Sequence, residues 1–564
     1  MKPSSQTGFE PGPGTRAAVW SERLAEEVLA RAGTEAGPIV CASGISPSGP
    51  IHMGNLREVF TTHLVAEALR ARGHDVVHLH SWDDYDRLRK VPDGVERSYE
   101  QQIGRPLARI PDPWDPGRGS WAERFMTEFG DALAVLGIVL HEVRQSERYP
   151  AGDYNAEIRR AMDEREAIFD VLASQQTANR HDKPLEQRRA EYFPFRPYCE
   201  PCGRDDTQVT GYEPATAVVT YRCRHGHEGT VSLADGAPIS GKLVWKVDWP
   251  MRWAHEHVAF EPAGEDHHAP TGSFTVGREI VRDVFGGEAP STTVYSFVTL
   301  AGTTGKMSGS TGSAAVPSAA LRVLEPAIVR WLYIRRLPSQ SFQIDLSPKG
   351  VQKLYDEWDR FVALALSDDA GPSDAAIHAL ATRTSSGDVA SSERRVSFRL
   401  LAAAADLTQG NREQIGRIVA QHLDEPVDAA QRLLEQLEPR LSCAIAYVAL
   451  LEPEQRTTLR DGFDAPTWEG LDERTREGVR TLAREMGEVW SLDGLTALVY
   501  AVPKDMLGMP RDAPPGPELK LAQRAFFKAL YQLLAASDTG PRLPTLMLSI
   551  GPERTRELLV GGAS

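Results

Sequence analysis

Residues 38–69 read as a strand that runs into a helix through a loop built almost wholly of small residues. An apolar run at 38–42 gives way to Ser43, Gly44, Ser46, Pro47, Ser48, Gly49 and Pro50. Then His52-Met53-Gly54-Asn55 opens an apolar-periodic stretch over 56–69. A helix start presents unpaired backbone N–H groups and the positive end of its dipole, so phosphate binds there, and small residues let the backbone approach it. His52 and Asn55 add side-chain donors. Far along the chain, Lys306-Met307-Ser308-Gly309-Ser310 sets a cation and two hydroxyls among Gly302, Thr303, Thr304, Gly305 and Gly312, which suits a loop folding over a polyphosphate. Taken singly, the first is an ordinary helix cap and the second an ordinary surface loop. The restriction comes from the pair, in this order.

Together they resemble the HIGH and KMSKS signatures of class I aminoacyl-tRNA synthetases. The match extends through Gly44-Ile45-Ser46-Pro47-Ser48-Gly49-Pro50-Ile51-His52-Met53-Gly54-Asn55-Leu56-Arg57-Glu58, Asp83-Asp84-Tyr85-Asp86-Arg87-Leu88-Arg89-Lys90-Val91-Pro92 and Val247-Asp248-Trp249-Pro250-Met251-Arg252-Trp253. These stretches resemble the class I lysyl-tRNA synthetases, the archaeal type also found in some bacteria, and the resemblance runs from about Val19 to the C-terminal end. It implies a Rossmann-like α/β catalytic domain with a zinc-ribbon-containing insertion, followed by an α-helical anticodon-binding domain. The implied substrates are ATP with Mg2+, L-lysine and tRNA(Lys).

A chain of 564 residues is too long for one core. No apolar run approaches the roughly 20 residues of a membrane span, and the start of the chain, rich in Pro, Gly and Ser, lacks a signal-peptide core. The expected address is cytoplasmic, with no membrane partner and a monomer favoured. A net charge of −15 argues against indiscriminate nucleic-acid binding. It leaves room for a local basic face, drawn from Arg87, Arg89 and Lys90 or from Arg180, Lys183, Arg188 and Arg189.

Residues 1–17 read as disordered. The segment 18–91 alternates helix, strand, helix and strand (75–80), the first half of a doubly wound sheet. An insertion follows over 92–241, with helical patterns at 121–136 and 154–173 and a strand-rich piece near 195–232. Strand and helix signals resume over 242–338, so the His52 helix and the Lys306 loop can converge at the carboxyl ends of the strands. From 339 to 564 the patterns are helical: 351–366, 374–382, 396–405, 412–422, 429–437, 474–486 and 518–535.

Five cysteines form no disulfide framework. Cys199-Glu200-Pro201-Cys202 and Cys223-Arg224-His225-Gly226-His227 have tetrahedral zinc spacing, because each tight pair sets two ligands on one side of an ion. His225 competes with His227, and the pattern of the resembled family favours His227. With Cys199, Cys202, Cys223 and His227 all engaged, the zinc is structural. Some relatives carry a second metal cluster of Cys and His. The matching stretch here, Asp112 to Arg124, lacks those ligands, so one zinc is expected.

In the implied reaction, an amino-acid carboxylate attacks the α-phosphate of ATP. Positioning and charge stabilisation do the work. By the resemblance, His52, Asn55 and the Gly54 backbone hold phosphates, Asp266 takes ribose hydroxyls, and Lys306, with Ser308 and Ser310, meets the pyrophosphate. Asn55 stands where HIGH has its second His, as in the resembled family. Gly309 replaces the second Lys of KMSKS, leaving one cation. A lysine side chain wants aromatic walls and an acidic terminus. Trp245, His267 and Tyr295 match the resembled family's pocket, Gly44 and Ser46 would contact the amino-acid main chain, and Asp84 is the candidate anion or else a helix cap. The alternatives are another amino acid such as glutamate, a non-tRNA acceptor, or a regulatory paralogue with weakened catalysis.

Overall fold

The computed structural model describes residues 19–32, 37–174, 183–302, 315–392 and 396–561. They divide into two compact units. One takes the described residues of Met1–Ala320 with Val329–Asp345 and Ala365–Val389; the other takes Leu321–Ile328, Leu346–Leu364 and the described residues of Ala390–Ser564.

The first unit is organised by a parallel sheet. Strand β1 (Ile39–Ile45) is apolar or small throughout, as a strand covered on both faces must be. It pairs with β2 (Val76–Trp82), which pairs with β3 (His141–Arg144), while β4 (Val258–Phe260) lies on the other side of β1. The order β3-β2-β1-β4 therefore reverses direction between β1 and β4, opening a crevice at their carboxyl ends. Parallel pairing continues beyond β4, with Ala263–Gly264 on Val294–Tyr295 and Val298–Leu300 on Phe342–Ile344.

Helix α1 (Trp20–Ala32) packs beside helix α2 (Met53–Ala71), which crosses from β1 to β2. Helix α2 is buried over most of its length, so its polar side chains need partners inside. Thr62 donates to the Ala42 carbonyl at 3.1 Å and Arg57 to the Pro338 carbonyl at 2.9 Å. Beneath β1 lies a histidine cluster. Ser43 Oγ bonds His78 Nε2 at 3.1 Å and His80 Nδ1 at 2.8 Å, His63 stacks on His78, and Arg330 lies 3.3 Å from His63 Nε2.

The insertion contains a three-stranded antiparallel sheet, Thr207–Glu213, Val218–Cys223 and Glu228–Ser232, whose apolar side chains share a cluster with Tyr85, Val247, Met251 and Ile280. The second unit is helical. The expected helix at 518–535 is Pro517–Ala535, that at 412–422 is Arg412–His422, and Arg440–Val448, Leu492–Met506, Leu543–Ile550 and Pro552–Val560 are additional. Its helices meet at buried Arg440, which pairs with Glu325 at 2.7 Å and Asp359 at 2.6 Å. No described helix is long and apolar enough to cross a membrane.

Burial pushes His80 down to about 3 and holds His63 and His78 well below the ordinary imidazole range. These rings fold neutral, while the unfolded chain takes up protons below pH 6.5. Their contribution to stability is complete above that pH and is lost as pH falls. Buried carboxyls elsewhere pull the opposite way, so the effect is isolated by difference. The stability of the wild type relative to His80→Asn should decline as pH falls below 6.5, approaching a slope of about 1.4 kcal/mol per pH unit near pH 5. Urea unfolding at stepped pH measures this, and a constant difference would contradict it.

Candidate active site

The crevice at the β1/β4 reversal is floored by the backbone around Gly44 and walled by helix α4 (Trp245–His255). Trp245 stacks on Trp249 with ring centres 5.1 Å apart, and His267 meets Trp249 edge-on at 5.2 Å. Trp253 donates its indole N–H to Glu261 at 2.7 Å. A carboxylate closes the bottom. Glu58, in the second turn of α2, accepts the Gly44 N–H at 2.8 Å and the Tyr295 hydroxyl at 2.6 Å. Burial raises Glu58 to about 8, those two hydrogen bonds notwithstanding, and raises Glu261 to about 7.

Behind the aromatic wall lies a buried ion cluster. Arg252 pairs with Asp83 at 2.7 Å and with Asp248, and donates to Ser81 Oγ at 2.8 Å. Lys242 pairs with Asp86 at 2.6 Å and Asp248 at 3.4 Å, and the Tyr149 hydroxyl donates to Asp248. Burial works against charge on Asp248, but Arg252 and Lys242 outweigh it and hold the carboxyl below its usual range.

On the β4 side stands the start of α2. His52 is its N-cap, and the His52 N–H donates to Asn55 Oδ1 at 3.2 Å. Gly54 leaves room for the His52 ring. A Cβ at this position would sit 2.8 Å from the His52 imidazole, so the ring lies over the first turn only because that turn has no side chain there. Asp266 and His267 lie on a one-turn helix, Glu265–His268, that follows the Ala263–Gly264 strand. Lys306, Ser308 and Ser310 fall outside the described residues. The chain on either side of their segment is described. Val298, ahead of it, has its carbonyl 3.6 Å from that same Cβ position, and Ala315, after it, accepts the Met53 N–H at 2.8 Å.

Of the residues expected for an amino-acid pocket, Gly44, Trp245 and His267 line one crevice, and Tyr295 joins them through Glu58. Ser46 lines the adjoining groove, which shares Gly44 and Trp245 with the crevice. Of the two roles the sequence left open for Asp84, the structure shows the helix cap. Its carboxylate accepts the Ser146 N–H at 2.8 Å and the Ser146 hydroxyl at 2.5 Å, so it caps helix α3 (Gln145–Ala151). Glu58, Glu256 and Glu261 line the crevice, and Glu58 is the one tied to the Gly44 N–H. Glu58, Trp249 and Arg252 all lie in the stretches singled out by sequence. Glu58 ends the first of them, one helical turn beyond Asn55, and that spacing was the available signal.

The ligand atoms of Cys199, Cys202, Cys223 and His227 lie within 4.8 Å of one another. Cys202 Sγ and Cys223 Sγ are 3.6 Å apart, and Cys199 Sγ and His227 Nδ1 are 3.5 Å apart. Tetrahedral zinc with ordinary bond lengths requires edges of about 3.8 Å for S–S and about 3.6 Å for S–N, so the donor set fits that ion. Gly203 and Gly226 take positive φ in the two turns, and the His225 N–H donates to Cys223 Sγ while its ring stays exposed.

A sequence model of the family described as tRNA synthetases class I (K) matches residues 18–384. The chain is 44% identical to a lysine–tRNA ligase of Streptomyces coelicolor, over 96% of this chain and 98% of that one. It is 35% identical to a lysine–tRNA ligase of Pyrococcus furiosus, over 95% and 98%. A solved glutamate tRNA ligase from Elizabethkingia meningosepticum aligns over 93% of this chain and 98% of its own at 13% identity, with a TM-score of 0.38. With its α/β core and helical C-terminal region, the chain belongs to the class I (K) tRNA synthetase family.

Proposed function

We propose that this enzyme joins L-lysine to tRNA(Lys), activating lysine with ATP as lysyl-adenylate and then passing it to the terminal adenosine of the tRNA. The relatives are named for that activity. The observation that carries the amino-acid assignment is Glu58, a half-buried carboxyl group lining an aromatic-walled crevice. A lysine stem packs against Trp245, Trp249 and His267 while its ammonium meets Glu58. A glutamate side chain would face Glu58 and Glu261. Arg252, the cation lining the crevice, is already committed to Asp83 and Asp248.

Activation then needs no general base, since the lysine carboxylate arrives ionised. Gly44 and Ser46 flank the amino-acid main chain. MgATP is a substrate, and its magnesium would offset charge on the phosphates. His52, Asn55 and the Gly54 backbone hold phosphates at the α2 start, where the dipole favours negative charge. Asp266 takes the ribose hydroxyls, and Lys306, with Ser308 and Ser310, takes charge developing on the pyrophosphate. Cys199, Cys202, Cys223 and His227 would hold a structural zinc, their four donors tying together the two turns that carry them.

Lysine, and not glutamate, should support charging of tRNA(Lys). Because Glu58 is raised to about 8 in the empty site and must be ionised to meet an ammonium, lysine affinity should rise about tenfold per pH unit from pH 6 and level off near pH 8. Glu58→Gln should bind lysine on the order of tenfold or more weakly with a flat pH profile. Calorimetry across pH reads both, and equal pH dependence in the two proteins would reject the assignment.

Lys306→Ala should slow lysyl-adenylate formation roughly a hundredfold or more, the scale of a lost charge-assisted transition-state contact. Rapid-quench single turnover measures the step, and an unchanged rate would remove Lys306 from the site.

Purified protein should carry one equivalent of zinc by elemental analysis. Cys202→Ser should lower the zinc content and the melting temperature together. A zinc-free wild type of unaltered stability would dismiss the ribbon site.

A further inference from the structure

The loop between β1 and α2, residues 46–51, joins the groups assigned above to the lysine main chain, Gly44 and Ser46, to those assigned to phosphate, His52 and Asn55. Little in its own sequence holds it. Pro47 and Pro50 have no N–H to give, and Ser48 is exposed. The chain is tied on either side: the Ile45 carbonyl accepts the Asp83 N–H at 2.9 Å, and the Met53 N–H donates to the Ala315 carbonyl at 2.8 Å. Between these ties, a single hydrogen bond from another described residue reaches the loop. The indole N–H of Trp121 donates to the Ser48 carbonyl at 3.2 Å.

That indole is firmly built in. Trp121 opens the helix Trp121–Val135, whose start is closed by reciprocal bonds between Ser120 and Glu123 at 3.2 and 2.8 Å. Its backbone N–H donates to the Ile110 carbonyl at 2.7 Å. The ring is fully buried, with Trp114 5.2 Å and Phe125 6.3 Å away between ring centres. Arg124 lies 4.9 Å over Trp114 and is pinned by Asp112 at 3.0 Å. Packing here asks only for an aromatic ring, which phenylalanine would supply. The N–H is what connects this cluster to the loop.

In adenylate formation the lysine carboxylate must come within about 3–3.5 Å of the α-phosphorus, and an error of about 1 Å costs on the order of a hundredfold. Ser46 and His52 flank the Ser48 carbonyl, so the path of the loop sets the spacing between the two substrates. We propose that Trp121 is a positioning residue for adenylate formation: through Ser48 it holds the loop at that spacing. The inference rests on the tRNA-ligase reading. It acts through the loop alone, because Trp121 lines neither the crevice nor the adjoining groove.

The test removes the N–H and keeps the shape. Trp121→benzothienylalanine puts sulfur where the indole has its N–H, and Trp121→Phe is the simpler companion. With lysine and MgATP saturating, both should form lysyl-adenylate about tenfold more slowly in rapid-quench single turnover. Lysine affinity without ATP, read by calorimetry, should stay within about twofold of wild type. The benzothienyl protein should keep the wild-type melting temperature. Phe125→Leu, which thins the same cluster without touching Ser48, should lower the melting temperature and keep the wild-type rate. An unchanged rate in the benzothienyl protein, or a loss in Phe125→Leu as large as in Trp121→Phe, would overturn the inference. Failure of the underlying reading looks different: wild-type protein would then form no adenylate with lysine at all.

Discussion

Buried charge organises this catalytic unit. Arg252, Asp248, Asp83, Asp86 and Lys242 come from three separate parts of the chain: the end of β2, the end of the insertion and helix α4. None of these groups can be left alone in the interior, since an unpaired buried charge costs several kcal/mol. They must meet in one geometry, and that geometry fixes α4 against the sheet. The aromatic wall of the crevice follows, because Trp245 and Trp249 sit on the same helix as Asp248 and Arg252. So does the neighbouring groove, whose wall holds Lys242 and Asp86.

A second constraint ties the strand and helix of the opening motif together. Glu58 reaches back from α2 to the Gly44 N–H and across to Tyr295, so the loop between β1 and α2 is closed at its base by a hydrogen bond as well as by the chain. The same contact turns the carboxylate toward the crevice. Burial makes that carboxylate costly to ionise when nothing is bound, which suits a site meant to receive a cation.

Much of this was legible in the sequence. The alternation of strand and helix around residues 38–91 is a matter of apolar periodicity, and the cysteine spacing limits what the insertion can hold. The C-terminal helices were read to within a few residues where an apolar stripe is regular, as at 412–422. Those at Arg440–Val448 and Leu543–Ile550 escaped notice. Leu543–Ile550 is buried over most of its length, so it lacks the polar face that a surface helix displays. Asp84 and Glu58 were the harder pair. Both are acids in motif stretches, and no spacing rule says which one caps a helix and which one lines the crevice.

The sequence by itself determined the elements and the chemistry available: a helix start fit for phosphate, an aromatic and acidic repertoire fit for an amine, and four ligands fit for zinc. These depend on local periodicity and residue type, which a linear chain carries in full. Only the tertiary structure decided which carboxyl groups meet the crevice and which histidine lies with the cysteines. Those outcomes turn on distances between residues tens to hundreds of positions apart, set by the cost of burying charge.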